Sequence, residues 1–570
     1  MSGAGTSSAG TSGTGTSGTG VRGAAVGGAG TSGAGTSGVG LPLVVGVTGH
    51  RNVRPQDEAA LKSAFAGILA ELRASYPATA PLVLTGLAAG ADSLAAEEAL
   101  ALGIAVIAAL PMPVEEYEHD FDAAGLLRFR ALLARCSEVR VVHAAADRPG
   151  GYIAVGAFIA YHSHVVVAFW DGQKGEGGGG TADVVRMRSS GLGPGADGPD
   201  VYVPDIGPIY QIVTPRDDKP PPVDAFRVNV HHPRRFRGDK FTQRDFAGAL
   251  ACLNRYNRDV AELGGLTKTS SGLAPLMKST DRAANLLQAW TLFFVRLLYV
   301  LAFFAGVAQV AFGNEVAKIV TLALGVGAFF LAKWFNYEDR YQDYRALEEG
   351  LRVQRAWCDA GLGARRVEAF YLKMQQSELQ WIRLALRTAY LVFCGHCAEE
   401  GASVDLSDAL SWIREQWRYY HKAARREANS QRICNLVTYA TFCVGGLLAA
   451  ISGALSYPKF SQLLPPEWAF WAETHGPFLQ HWTTAPLAVA ALVAALLSGY
   501  AAKRGFASNG KRYQRMFLVF DHARRRLNAA KRGLGGDPGD VIAEVGREAL
   551  SEHADWLLLR REYPLSLVLD

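Results

Sequence analysis

LVVGVTGHR (residues 43–51), PLVLTGLAAGAD (81–92) and HVVVAFWDGQKGEGGGGT (164–181) decide the fold. Each begins as a short run of Val, Leu and Ala and ends in glycines that lead into a helical stretch. IAVIAAL (104–110) and EVRVVH (138–143) continue the alternation. The helix expected after Asp57 carries Ala60, Leu61, Ala64, Phe65, Ile68, Leu69 and Leu72 on one stripe. Continuous apolar strands separated by amphipathic helices are the pattern of a parallel sheet covered on both faces. The expected first domain is α/β and Rossmann-like.

Three loops at the carboxyl ends of those strands hold the candidate ligand residues. They are Gly49, His50 and Arg51; Gly86, Gly90 and Asp92; and Asp171, Gly178, Gly179, Gly180 and Thr181. Glycine lets backbone approach a ligand closely, and helix N-termini aim free N–H groups at an anion. Ligands of open α/β sheets bind at these strand ends, so a phosphate-bearing small molecule is expected. Asp92 reads either as a ligand contact or as a helix N-cap. His50 and Arg51 read either as a phosphate or base contact or as a solvated turn.

VTGHR (47–51), LTGLAAGADSLAAEEALALGIAVIAALP (84–111) and FWDGQKGEGGGGTADVV (169–185), closing with GPIYQIVTPR (207–216), resemble the SLOG superfamily. That group includes DNA-processing protein A and the LOG phosphoribohydrolases. The resemblance covers residues 41–216 and implies a Rossmannoid fold that binds nucleotides or nucleotide-derived molecules. Enzymatic members similar to it hydrolyse an N-glycosidic bond with a glutamate three positions after the threonine of a GGxGTxxE motif. Here that position is Val184, and Asp183 lies one residue earlier. Valine has no acid–base or nucleophilic group, and one residue turns a helical side chain by about 100°. Binding without turnover is the expectation, with no catalytic residue assigned. A membrane-tethered N-glycosidic hydrolase and a structural membrane organiser are the alternatives.

Behind this domain lie four apolar spans: Leu286–Phe312, Val316–Ala332, Ile433–Tyr457 and Pro486–Ala502. The first two are separated by Gly313-Asn314-Glu315, a helical hairpin with arms suited to a hydrocarbon core of about 30 Å. The second pair encloses a longer loop with Trp468, Trp471 and Trp482, which fit an interfacial belt. Lys278, Arg282, Lys333, Arg340, Lys422, Arg425, Arg426, Arg432, Lys503 and Arg504 flank one side of the spans, against Lys318 and Lys459 on the other. This predicts a multi-pass protein of the bacterial inner (plasma) membrane with both termini cytoplasmic. Arg296 falls inside the first span, where it either snorkels or faces a partner helix or water. All-α transmembrane hairpins with cytosolic helices are thus expected after the α/β domain.

YRALEEGLRVQRAW (344–357) and ALSEHADWLLLRREYP (549–564) resemble SLATT domains, two-transmembrane modules attached to SLOG sensors. The resemblance implies tandem modules over 281–427 and 428–570, and a pore-forming or membrane-perturbing effector role in bacterial defence. Residues 217–280 are then a linker and helix. Cys394-Gly395-His396-Cys397 reproduces a redox CxxC, but no strand precedes it, and one histidine leaves it short of a zinc site's four ligands. No metal and no cofactor are expected.

The remaining composition sets limits. At 570 residues the chain exceeds one core, since domains run to about 150 residues. Residues 2–40 are almost wholly Gly, Ser, Thr and Ala, which predicts a flexible tether over 1–40. Seven cysteines without framework spacing suit a reducing cytosol for the soluble parts. The net charge of +5 comes from scattered basic residues, so no nucleic-acid partner is expected. The expected partners are a nucleotide-derived small molecule, the lipid bilayer and further copies of the chain, because four helices alone make a poor conduit. The reading is a sensor–effector whose ligand shifts the membrane hairpins between states.

Overall fold

The computed structural model describes residues 21–22, 40–142, 147–173, 179–191, 206–234, 242–267, 272–373, 376–394, 406–456, 465–534 and 536–562. The expected tether over 1–40 lies outside the described residues, apart from Val21, Arg22 and Gly40. The chain divides into two compact units. The first holds residues 1–257, 362–366 and 374–403; the second holds 258–361, 367–373 and 404–570.

In the first unit, strands β1 (Val21–Arg22), β2 (Leu43–Gly49), β3 (Pro81–Thr85), β4 (Ala105–Leu110), β5 (Glu138–Val142), β6 (Val165–Trp170), β7 (Ile209–Val213) and β8 (Val228–His231) form one sheet. Their order is β1-β5-β4-β3-β2-β6-β7-β8. The strands from β2 to β7 pair in parallel, and the two outermost, β1 and β8, pair antiparallel. After β2 the chain builds outward through β3, β4 and β5, then crosses back to lay β6 on the other side of β2. The switch point therefore falls between β2 and β6.

Helices α1 (Glu58–Ser75), α2 (Ala91–Ala101), α3 (Val114–Tyr117), α4 (Ala123–Leu133), α5 (Arg148–His162) and α6 (Thr181–Ser190) connect the strands. Alternate residues of one strand feed opposite faces. Leu43, Val45 and Val47 pack with Leu61, Phe65 and Leu69 of α1, while Val44 joins Leu82, Leu84 and Ile107 against Val155 and Ile159 of α5. Both faces are dry, which is why the strands read as unbroken apolar runs rather than as alternation. β8 falls in the stretch expected as linker. Its residues are mostly exposed, so it offers little apolar signal.

Helices α7 (Thr242–Glu262), α8 (Leu273–Phe312), α9 (Glu315–Phe335), α10 (Tyr337–Asp359), α11 (Gln376–Ala389), α12 (Leu406–Ser456), α13 (Pro466–Arg504), α14 (Phe506–Ala530) and α15 (Pro538–Glu562) make up the rest. One of them rejoins the α/β unit. After α11 the backbone loosens into a π-turn over Tyr390–Cys394. Leu391 there is fully buried with Val44, Leu82, Leu84 and Ile107. Arg140 donates to the Leu391 carbonyl. Arg387 donates to the Tyr161 carbonyl at 2.8 Å, with its guanidinium 3.8 Å from the Tyr161 ring centre. Segment 376–394 thus completes the cover that α5 begins on one face of the sheet. Of the cysteine motif, Cys394 is buried, and Gly395, His396 and Cys397 lie outside the described residues.

Among the described residues, the second unit contains four helices long and apolar enough to cross a membrane: α8, α9, and the helices that run through α12 and α13. Gly313 takes a left-handed conformation at the end of α8, and Asn314 caps α9 by accepting from the Ala317 N–H at 2.9 Å. That is the expected hairpin. α8 also packs on α13. A β-carbon on Gly306 would stand 2.3 Å from Leu492 Cδ2, so the bare glycine lets that leucine reach the helix backbone. The apolar stretch of α9 has no buried residue. Arg296 is exposed, on the outside of α8. The connection read as a loop is helical from Pro466 onward, while the side chains of Trp468, Trp471 and Trp482 lie outside the described residues.

Candidate functional site

The loops after β2, β3 and β6 come together through their backbones. Gly90 has φ +84°, and a β-carbon there would lie 2.3 Å from the Arg51 carbonyl oxygen and 2.6 Å from that of His50. No other residue type fits that crossing. The Ala91 N–H donates to the His50 carbonyl at 3.1 Å, which closes the contact. Gly49 is held between Ala91 and Phe169.

His50 and Asp171 meet at the switch point. The imidazole Nε2 lies 3.1 Å from the Asp171 backbone nitrogen and 3.2 Å from Oδ1. Burial lowers the His50 pKa, outweighing the nearby Asp171 carboxylate. The neutral ring therefore accepts the Asp171 N–H. Asp171 Oδ1 accepts the Gln173 N–H at 3.0 Å. Its Oδ2 is buried without a hydrogen bond among the described residues, and Arg216 Nη1 stands 3.6 Å away. A buried carboxylate oxygen with spare acceptor capacity is a place for a ligand hydroxyl or amine.

Asp92 is neither an N-cap nor a solvent-facing contact. Gly90 holds the N-cap position of α2, and the Asp92 carboxyl is buried among the Thr85 hydroxyl and the backbone of Ala88 and Gly86. It braces the loop from beneath. Burial pushes its pKa up to about 7 despite those donors. Above it, Tyr117 donates to the Gly86 carbonyl at 3.3 Å.

Asp120, Arg148 and Tyr152 extend the site beyond the residues picked from sequence. Asp120 accepts from Arg148 and from the Tyr152 hydroxyl. Arg51 Nη2 lies 3.7 Å from Asp120, with the guanidinium 5.2 Å from the Tyr152 ring centre. Gly179, at φ +85°, packs on the Tyr152–Ile153 backbone, where a β-carbon would come within 2.8 Å of the Ile153 nitrogen. Gly180 then caps α6, and Thr181 is buried in its first turn. The first-turn N–H groups of a helix have no partner within it and favour an anion. Gly178 lies outside the described residues.

Val184, at the glutamate position, and Asp183, one residue earlier, both have partners within the α/β unit. Val184 is buried, against Gly156 of α5. Asp183 Oδ2 accepts the Gly179 N–H at 2.9 Å, which holds the glycine loop, and Oδ1 accepts from Arg186 of the same helix at 2.8 Å.

The two motifs of the helical half also meet. α10 packs on α15 and joins LEEGLR to SEHADW in one buried polar cluster. Arg352 pairs with Glu348 and Glu349, and Arg512 pairs with Glu552 at 2.5 Å. The Tyr371 hydroxyl lies 2.9 Å from Nδ1 of His553, whose pKa burial lowers to about 3. Arg560 donates to the carbonyls of Lys503 (3.1 Å) and Arg504 (2.9 Å), at the end of α13, and Arg561 pairs with Asp343. α15 thereby ties the end of one apolar helix to the start of α10. Among the described residues no group of His, Cys, Asp and Glu is arranged to hold a metal ion.

No family model and no curated protein matches the chain. A solved structure of DNA processing protein A from Helicobacter pylori, described for its single-stranded DNA binding mode, is similar at 18% identity. The match covers 26% of this chain and 65% of that one, with a TM-score of 0.19. This chain therefore spans less than two thirds of that protein. The likeness corrects one expectation: nucleic acid is not excluded as a partner. The earlier argument rested on a net charge summed over the whole chain, and such a sum is silent about any one local surface.

Proposed function

We propose that this protein is a membrane sensor–effector whose α/β unit binds a nucleotide-derived small molecule and thereby controls membrane permeability. The observation that carries the reading is the His50–Asp171 contact at the switch point, with Gly90 and Gly179 loops on either side. That edge offers an unfilled carboxylate acceptor, the Arg51, Arg148 and Arg216 guanidiniums, and the first-turn amides of α6. Such a set suits a phosphate together with ribose or base polar groups. Occupied Asp183 and buried Val184 favour binding over hydrolysis.

The effector half of the proposal rests on the four apolar helices and on the SLATT-like motifs at 344–357 and 549–564. Basic residues on one side of the spans support cytoplasmic termini, and the resemblance supports a role in bacterial defence. The test is dye release from liposomes holding the full chain, with a panel of cyclic and linear nucleotides. One nucleotide should trigger release, and Gly179→Glu should abolish it. Recovery of that nucleotide cleaved, without release, would replace this reading with a tethered hydrolase.

A further inference from the structure

Where α9 gives way to α10, Thr291, Phe294, Phe329, Lys333, Tyr337 and Asp339 line a cleft of about 30 Å³. Asn336, in a left-handed conformation at φ +48°, turns the chain there. One wall is aromatic. The Tyr337 ring stacks against Phe335 at 5.3 Å and against Phe294 and Trp290 at 6.0 Å each. Aromatic faces carry negative potential. Glu338 is engaged with Lys503 at 3.6 Å, whereas Asp339 is exposed and has no ion pair among the described residues. The interior thus selects a small cation. Lys333 is also exposed and has no such pair among the described residues, and it supplies a positive rim.

A cation held a few bonds from an anion is the chemistry of a zwitterionic phospholipid head. The cleft sits where an apolar helix meets a charged one, the depth at which headgroups lie. A primary ammonium donates hydrogen bonds to a carboxylate such as Asp339, which a trimethylammonium, having no N–H, cannot do. We propose that this cleft binds the ethanolamine headgroup of an aminophospholipid. The ammonium lies against Tyr337, Phe294 and Asp339, and the phosphate meets Lys333. The proposal requires the helices to lie in a bilayer and is independent of what the α/β unit binds.

The test is native mass spectrometry of the full chain in detergent, with phosphatidylethanolamine, phosphatidylglycerol or phosphatidylcholine added. Phosphatidylethanolamine should be retained at several-fold lower concentration than either other lipid. Asp339→Asn should erase that preference, and Lys333→Gln should weaken phosphatidylethanolamine and phosphatidylglycerol alike. Trp334→Ala, at an 86% exposed residue outside the cleft, should leave it intact. Equal retention of the three lipids, a preference for phosphatidylglycerol, or an unchanged preference in Asp339→Asn would overturn the proposal.

Discussion

The backbone N–H of Asp171 donates to Nε2 of His50 at 3.1 Å, joining the loops that leave β6 and β2. This bond orients the carboxylate whose Oδ2 lacks a hydrogen-bond partner among the described residues. His50→Ala removes the acceptor and should lower stability by about 1 kcal/mol. It should weaken the nucleotide response of the liposome assay far more than it shifts the melting curve. A response unchanged beside a lowered melting temperature would limit His50 to packing.

Gly90→Ala and Gly179→Ala should each destabilise the α/β unit by about 1–3 kcal/mol, because both positions have positive φ and abut backbone. Thermal unfolding reads the effect. Gly180→Ala, where an added methyl meets open space, should cost clearly less.

The Asp92 carboxyl rises from its ordinary 3.8 to about 7 on folding. Between those values the folded chain holds a proton that the unfolded chain has released. Stability from this group is therefore full below pH 3.8, falls as pH rises toward 7, and is flat above. Asp92→Asn should remove that slope, so the difference in melting temperature between variant and parent should change across pH 4 to 7 and level off beyond. A constant difference would show that Asp92 is ionised throughout.

Leu391→Ala should lower the stability of the α/β unit by about 2–5 kcal/mol. Its side chain is fully buried in a sheet whose strands ended well over a hundred residues earlier. Hydrogen exchange of the β2 and β3 amides reports it. Protection should fall there, whereas a loss confined to α11 would mean that the segment does not support the sheet.

Tyr371→Phe leaves His553 Nδ1 buried without its hydroxyl partner, at a cost of about 1–3 kcal/mol. His553→Ala in the same background should add little more. A double-mutant cycle measures this coupling, and simple additivity would mean that the two residues act separately.

The sheet was legible because Val44 to Val47, Leu82 to Leu84 and Val165 to Phe169 are buried on both faces and leave a continuous apolar trace. The hairpin of α8 and α9 was equally plain from its Gly313-Asn314 turn. The cluster of loops at the candidate site was legible in outline, since loop glycines mark strand ends. Asp92 as brace and Asp120 with Tyr152 were not, because a carboxylate's role depends on which backbone reaches it. Nor was the placement of 376–394. A helix such as WIRLALRTA has the same amphipathic period whether it covers a sheet or joins a bundle.

Leu391 closing the sheet has a consequence for synthesis on the ribosome. By the time β7 emerges, every strand of the parallel core has been made, yet the last part of the cover for one face lies more than 150 residues downstream. Translation must carry both arms of the first hairpin past before that cover arrives. Until then the nascent sheet has α5 over that side but lacks Leu391 beside Val44, Leu82 and Ile107, which makes it a natural client for a chaperone. Nor can the α/β part be traded between genes as a single cassette, because its last piece is written between the two pairs of apolar helices.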